Sequence, residues 1–228
     1  MLIEVGKWTK VLMNEVQIVA LAFMATVYAL KVRWILRHVA GQEITPARGD
    51  HNRAIAYAYL TLTMPWELES LKKKPIRWVE FAAFHIGVAV AIGITFVLPY
   101  FPVLLSIPIT IRLAQGVLVL ALFAGISRMI RRLALPEMRA ISSPDDYFAI
   151  IMLNAWLVTA IVGTAQTSEA WLAAFFAMTA FFLVYVPFSK ISHYIYYPFV
   201  RYYVGKHFGH RGVFPKKVMP AETAPAGR

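Results

Sequence analysis

The sequence contains no cysteine among its 228 residues. This absence excludes disulfide bonds, cysteine-ligated iron–sulfur clusters, zinc–thiolate sites and the covalent attachment of c-type haem through a C-x-x-C-H motif. Any redox cofactor held by this chain must therefore be bound by histidine, methionine or the backbone.

Charged residues are also scarce: they make up 15% of the chain, whereas soluble domains usually carry about a quarter. Apolar residues account for 59%, and the charges are separated from long apolar runs, as in membrane helices. The N-terminal segment lacks the basic start, apolar core and small-residue cleavage site of a signal peptide. The first apolar segment is therefore expected to stay in the protein as an anchor.

Five apolar stretches are long enough to cross a hydrocarbon core of about 30 Å, which takes about 20 helical residues. Backbone groups cannot stay unpaired in lipid, and the alternation of membrane strands is missing. The sequence therefore predicts an all-α integral membrane bundle of five transmembrane helices within residues 1–200, followed by a basic cytoplasmic tail over 201–228. The predicted helices cover residues 14–36, 78–101, 104–127, 147–166 and 170–194.

The 23 basic residues are distributed unevenly around these helices. Nine lie in 31–77, four in 128–146 and seven from residue 190 onward, whereas only Lys7, Lys10 and Arg112 lie at the other face. The positive-inside rule places the N-terminus outside and the C-terminus in the cytoplasm. The net charge of +11 thus follows from topology and does not indicate nucleic-acid binding. The expected location is the cell (inner) membrane, with lipid as a partner.

Two of the six histidines, His85 and His193, lie in predicted membrane helices, where ionisable residues are costly and are functional-site candidates. His85 follows Arg77 by eight residues and His193 precedes Arg201 by eight. At about 1.5 Å per residue, both lie about 12 Å from a basic anchor. Two imidazoles at matched depth can bind one haem iron from opposite faces. The alternative is that each histidine hydrogen-bonds a neighbouring helix.

Residues around His193 add two expectations. Lys190 lies one turn earlier and must snorkel or pair, and Pro198 is expected to kink or end the helix. The remaining histidines lie in the predicted cytoplasmic loop or tail and are expected to be solvated or partner-facing: His38, His51, His207 and His210.

Five short motifs give the chain a family resemblance. Phe84–Gly87 (FHIG), Pro187–Lys190 (PFSK) and Ile191–His193 (ISH) resemble the gamma, cytochrome b, subunit of respiratory nitrate reductases. With Pro65–Glu67 (PWE) and Ser143–Asp146 (SPDD), they are also similar to related membrane subunits of sulfate-reducer and heterodisulfide-reductase-like redox complexes. The resemblance covers roughly residues 10–200 and all five predicted helices.

The resemblance implies a single haem b. Members of the nitrate reductase type bind two haems b through four histidines, and His85 and His193 match the pair that holds the haem nearer the cytoplasm. The positions of the other pair hold Thr95 and Phe175, neither of which can ligate iron. The haem nearer the outside is therefore expected to be absent.

The resemblance also implies a quinone substrate, because family members handle quinol with a basic residue early in the third helix. Arg112 matches that region, although an interfacial arginine explains it equally well. A cytoplasmic-side quinone site near Lys190 or Glu80 is equally open, and Lys190 could instead pair with a haem propionate.

The expected function is electron transfer between the quinone pool and a cytoplasmic iron–sulfur partner, which would dock on the basic loop 31–77, on Arg131 and Arg132, and on the tail. One alternative is a haem-free structural anchor of such a complex. Another is a transporter, which requires polar residues or broken helices near the bilayer midplane. The fourth helix offers only Asn154, Thr159 and Gly163 for that purpose.

Overall fold

The computed structural model describes residues 5–38, 41, 43–61, 64, 73–103, 107–165 and 168–215. Every regular element in these ranges is helical, which confirms the all-α expectation for the described residues. The α-helices are α1 (Lys7–Arg37), α2 (His51–Leu60), α3 (Pro75–Tyr100), α4 (Pro108–Ala134), α5 (Pro136–Ala140), α6 (Pro144–Thr164), α7 (Glu169–Tyr185) and α8 (His193–His210).

Five helices in the described ranges are long and apolar enough to cross a membrane, namely α1, α3, α4, α6 and Glu169–Phe188, which continues α7 by one turn. They correspond one to one with the five predicted helices. The third runs on to Ala134 rather than ending at residue 127. It therefore includes three arginines that were expected in the following loop: Arg128, Arg131 and Arg132.

The fifth helix ends earlier than expected. It stops at Tyr185, two residues before Pro187, which has no N–H to continue the ladder. Ser189 then adopts an extended conformation (φ −100°, ψ 171°), and His193 is the first residue of α8. The depth estimate for His193, which assumed a continuous helix over 170–194, therefore loses its basis. Pro198 was expected to kink or end the helix; it lies within α8, which continues to His210 and so does not end there.

The chain divides into two compact units. Unit 1 comprises Met1–Arg33 and Ile76–Ser192, and unit 2 comprises Trp34–Pro75 and His193–Arg228. The boundary between the two units thus falls between Ser192 and His193.

In unit 1, α1 runs parallel to α7. The carboxylate of Glu169 accepts hydrogen bonds from the Gly6 amide (2.8 Å) and the Thr9 hydroxyl (2.6 Å). Further along both helices, the Gln17 side-chain amide donates to the Phe176 carbonyl at 2.7 Å. Gln17 directly follows a π turn over Leu12–Val16 in α1. These bonds fix the register of the two helices.

The core of unit 1 is aromatic where α6 meets α7. Phe175 is fully buried, and its ring centroid lies 5.9 Å from that of Trp156. The Trp156 ring also lies 5.6 Å from Phe182, and its indole N–H donates to the Thr179 hydroxyl at 2.9 Å. The polar atom of this buried tryptophan is thus satisfied.

In unit 2, small residues let α2 and α8 approach closely. A Cβ atom on Gly205 would lie 2.4 Å from the Ile55 Cα, and one on Gly209 would lie 2.3 Å from the Ala54 Cβ. Near the other end of α2, the Tyr59 hydroxyl donates to the Pro198 carbonyl at 2.7 Å. The chain is helical from His51 to Leu60; residues 62–63 and 65–72, which include the Pro65–Glu67 motif, lie outside the described residues.

The end of α8 is held by Glu43. Its carboxylate lies 2.8 Å from Arg211 Nη2 and 3.5 Å from His207 Nδ1, and it accepts a hydrogen bond from the Thr45 hydroxyl at 2.9 Å. The Nε2 atom of His210 lies 2.7 Å from the Thr45 carbonyl oxygen. These two histidines, expected to be solvated or partner-facing, therefore make contacts inside unit 2.

Candidate functional site

The His85 imidazole lies on α3, within the second candidate span, and is half-buried. Its Nδ1 atom lies 2.7 Å from the Phe81 carbonyl oxygen, one turn earlier. Because a carbonyl only accepts, Nδ1 carries the proton and the lone pair is on Nε2. A backbone carbonyl orients metal-ligating histidines in the same way. The flanking rings of Phe81 and Phe84 lie 4.0 and 6.0 Å from the imidazole centroid.

The second predicted ligand, His193, belongs to unit 2, whereas His85 belongs to unit 1. His193 begins α8, is exposed, and has a neighbouring ring in Tyr194 at 6.4 Å. Among the described residues, no group of three or more His, Cys, Asp or Glu could hold a metal ion. A bis-histidine haem requires only two such residues.

The two positions at which the motif resemblance implied a second pair of haem ligands, Thr95 and Phe175, have internal roles in unit 1. Thr95 is 7% exposed, and its hydroxyl donates to the Ile92 carbonyl at 2.7 Å. Phe175 is part of the aromatic core between α6 and α7. Both side chains are buried.

Lys190 has a carboxylate partner. Its ammonium lies 2.6 Å from Asp146 Oδ2 and 2.8 Å from the Ser143 hydroxyl. Ser143 and Asp146 form a capping box at the start of α6, with Pro144 at the first helical position. The Lys190 backbone amide also donates to Asp145 at 3.3 Å. The expectation that Lys190 pairs is met by the cap of α6.

Glu80 is also engaged by neighbours in unit 1. One of its oxygens lies 2.6 Å from Arg131 Nη1, and the other accepts from the Ser127 hydroxyl at 2.8 Å. Arg132 lies 3.7 Å from Asp146. Both arginines, expected on a docking surface, are therefore used to join helices. Arg112 is exposed near the start of α4.

Arg128 was not identified from the sequence. Its guanidinium lies over the ring of Phe84, 5.0 Å from the centroid, in the turn of α3 that carries His85. A helical periodicity could have revealed it, because the buried positions of α4 recur at Ala121, Ala124 and Gly125 and continue onto Arg128. The sequence interpretation instead ended the helix at the first charge.

Asn154 on α6 faces the same region. Its side chain is 8% exposed, and among the described residues neither polar atom of the amide has a hydrogen-bond partner. It occupies the space that a side chain on Gly125 would fill: a Cβ there would lie 2.0 Å from the Asn154 Oδ1 and 3.0 Å from a Phe84 ring carbon.

Comparison with known proteins gives one weak similarity. No family model and no solved structure match the chain. A protein from Nitratidesulfovibrio vulgaris (strain Hildenborough) is 29% identical over 139 residues, which cover 57% of this chain and 60% of that protein. The alignment therefore spans less than two thirds of the relative's length. The relative carries only the name "Protein", which states no activity.

Proposed function

We propose that this protein is the membrane cytochrome b subunit of a respiratory redox complex in the cell (inner) membrane. It passes electrons between the quinone pool and a cytoplasmic iron–sulfur partner, and His85 and His193 hold a single haem b. The observation that carries the proposal is the His85 side chain, a half-buried imidazole inside a candidate span whose Nδ1 is committed to the Phe81 carbonyl.

The residues around His85 fit one axial position of a haem. The Nε2 lone pair is the donor that haem iron requires, and the neighbouring phenylalanine rings supply an apolar environment. Haem b, when bound, supplies one-electron redox chemistry, and the protein supplies ligands and a low-dielectric surrounding. His193 enters as the second ligand through the motif resemblance alone.

Three observations support other parts of the proposal. The buried hydroxyl bond of Thr95 and the packed ring of Phe175 favour one haem over two. The packing of α2 on α8 requires both to lie on the same membrane side, and four candidate spans, an even number, separate them. The placement of the basic residues then favours an outside N-terminus.

The partner and the quinone are proposed from the motif resemblance, and charge and composition bear on where each would bind. Without cysteine, any iron–sulfur cluster must belong to the partner. Its docking surface is assigned to exposed cations of unit 2 such as Arg48, Arg53 and Lys206, and no longer to Arg131 and Arg132. For the quinone, two sites are proposed as alternatives. Lys190 and Glu80 lie on the side of the haem but already have ionic partners, whereas Arg112 is exposed at the other face, far from the single haem.

Reduced-minus-oxidised spectra of the purified full-length protein test the proposal. We expect a b-type band and one haem per chain in the wild type, and loss of the band in His85→Ala and in His193→Ala. His38→Ala is the matched control, because His38 Nδ1 lies 2.8 Å from the carbonyl of Trp34, also one turn earlier, and it should keep the band.

Other outcomes separate the parts of the proposal. A well-folded preparation without haem would refute the relay and favour a haem-free structural anchor. Two haems per chain would contradict the argument from Thr95 and Phe175. Loss of the band in His85→Ala but not in His193→Ala would remove His193 from the ligand pair.

A further inference from the structure

Several basic side chains of unit 1 lie in the region around Phe84, and not all of them form an ion pair with a carboxylate. Arg131 pairs with Glu80 at 2.6 Å, and Lys190 pairs with Asp146 at 2.6 Å. Arg132 lies 3.7 Å from the same aspartate. The nearby carboxylates Glu80 and Asp146 are thus taken up by cations other than Arg128.

Arg128 lies inside the candidate span Pro108–Ala134. Within the part of the chain that the structure describes, its guanidinium contacts the Phe84 ring but makes no hydrogen bond or ion pair. A guanidinium has five N–H donors. Charged residues in an apolar helix bundle are costly and normally have a partner, so a half-buried arginine without a hydrogen bond or ion pair is a candidate binding residue.

A second unsatisfied polar group lies near the same ring. The Asn154 side chain, which is 92% buried, touches the space between Gly125 and Phe84, and its amide N–H group has no partner among the described residues. Buried polar groups are nearly always hydrogen-bonded in native proteins. The cation of Arg128 and the unsatisfied amide of Asn154 therefore favour a polar ligand with negative charge in this region.

We propose that Arg128, with the Asn154 amide as a neighbouring donor, binds a carboxylate or phosphate oxyanion, and that this oxyanion is a propionate of the haem held by His85. The inference rests on the proposed function. The His85 ring lies 6.0 Å from the Phe84 ring over which Arg128 stacks. Arg128 thus takes the role considered for Lys190, whose charge Asp146 already balances.

A phospholipid phosphate is the other source of such an oxyanion. Arg128 precedes the end of α4 at Ala134 by six residues, which at about 1.5 Å per residue is about 9 Å inside the helix end. The second experiment below separates a lipid phosphate from a cofactor carboxylate.

The first experiment titrates the detergent-solubilised, haem-depleted full chain with haem and with haem dimethyl ester, which lacks the propionate charges. We expect the wild type to bind haem about tenfold or more tightly than the ester, as a charge-assisted pair predicts. In Arg128→Gln this preference should vanish through weaker haem binding, with ester binding unchanged. Equal binding of haem and ester by the wild type would overturn the propionate assignment.

Arg139→Gln is the matched control, because it removes the same charge from an exposed arginine that donates to the Leu133 carbonyl. It should behave as the wild type. Arg128→Lys keeps the positive charge but loses the planar guanidinium, and it replaces Arg128→Gln if that variant does not fold. It should retain part of the preference for haem over the dimethyl ester. The haem midpoint potential should fall in Arg128→Gln, because a cation near the iron favours the reduced state, and stay unchanged in Arg139→Gln.

The second experiment addresses the phosphate source. Thermal unfolding is measured in phosphatidylcholine nanodiscs with and without phosphatidylglycerol, for the wild type and Arg128→Gln. Stabilisation by phosphatidylglycerol that Arg128→Gln loses would assign the oxyanion to lipid and overturn the propionate part. If the wild type takes up no haem, the proposed function fails, and this experiment still decides whether an oxyanion site exists. If neither the preference for haem over its ester nor the stabilisation by phosphatidylglycerol changes in Arg128→Gln, the oxyanion site is refuted.

Discussion

The contact between Gly125 and Asn154 provides a quantitative test of packing in unit 1. A Cβ atom on Gly125 would lie 2.0 Å from the Asn154 Oδ1 and 3.0 Å from the Phe84 ring, well inside ordinary van der Waals contact. Gly125→Ala must therefore displace the amide or separate α4 from α6. Overpacking of this kind costs about 1–3 kcal/mol. Part of that cost is offset by the better helix propensity of alanine, about 1 kcal/mol.

The matched control is Gly116→Ala on the same helix. A Cβ on Gly116 would meet nothing within 4 Å, so only the helix propensity changes and the protein should keep or gain stability. In the double variant Gly125→Ala/Asn154→Ala, removal of the amide makes room for the new methyl group. We expect the double variant to be at least about 1 kcal/mol more stable than the sum of the single effects predicts.

The assay is reversible unfolding of the purified protein in mixed detergent micelles, followed by far-ultraviolet circular dichroism. Additive effects of Gly125→Ala and Asn154→Ala would refute the close contact. So would equal destabilisation by Gly116→Ala and Gly125→Ala, because the two positions differ only in what surrounds them.

Two further predictions concern pH and the aromatic core. Hydrogen bonds from Thr45 and then Arg211 lower the pKa of Glu43 from 4.5 to about 2. The stabilisation that the Glu43 carboxylate gives unit 2 is therefore full above pH 4.5 and is lost as the pH falls toward 2. Hydrogen exchange in α8 should accordingly quicken over that range in the wild type but not in Glu43→Gln. Phe175→Ala should lower the unfolding free energy by about 3–5 kcal/mol, because Phe175 is fully buried against Trp156; a loss below about 1 kcal/mol would contradict the packing described.

Hydropathy alone located the five long helices, because burial in lipid requires long apolar runs. The second was predicted over 78–101 and is found at Pro75–Tyr100. The end of the third was wrong, since hydropathy counts Arg131 and Arg132 as exposed charges. In the structure, Glu80 and Asp146 accept them. No local pattern reveals partners so distant in the chain.

The segment before His193 shows a second limit of the sequence. Two prolines lie in this region, and α7 ends before the first of them, whereas the prediction continued the helix to residue 194. The helix breaks near Pro187, where the cap of α6 also binds the backbone amide and side chain of Lys190. Pro198 is accommodated inside α8. For the candidate site, the sequence drew attention to His85 because histidine is rare in such helices. Arg128 was missed because the third helix was predicted to end at residue 127, which assigned Arg128 to the following loop.

The packing of α2 against α8 has a consequence for how the protein is made. Residues 51–60 leave the ribosome early, whereas Gly205 and Gly209, which they pack against, follow only after four further candidate spans. Until then the small-residue face of α2 has no partner helix from this chain. A chain halted or misinserted before α8 thus carries an unfinished unit 2, which exposes it to the proteases that clear defective membrane proteins. Closure of this helix pair therefore has to wait for the four candidate spans that lie between α2 and α8.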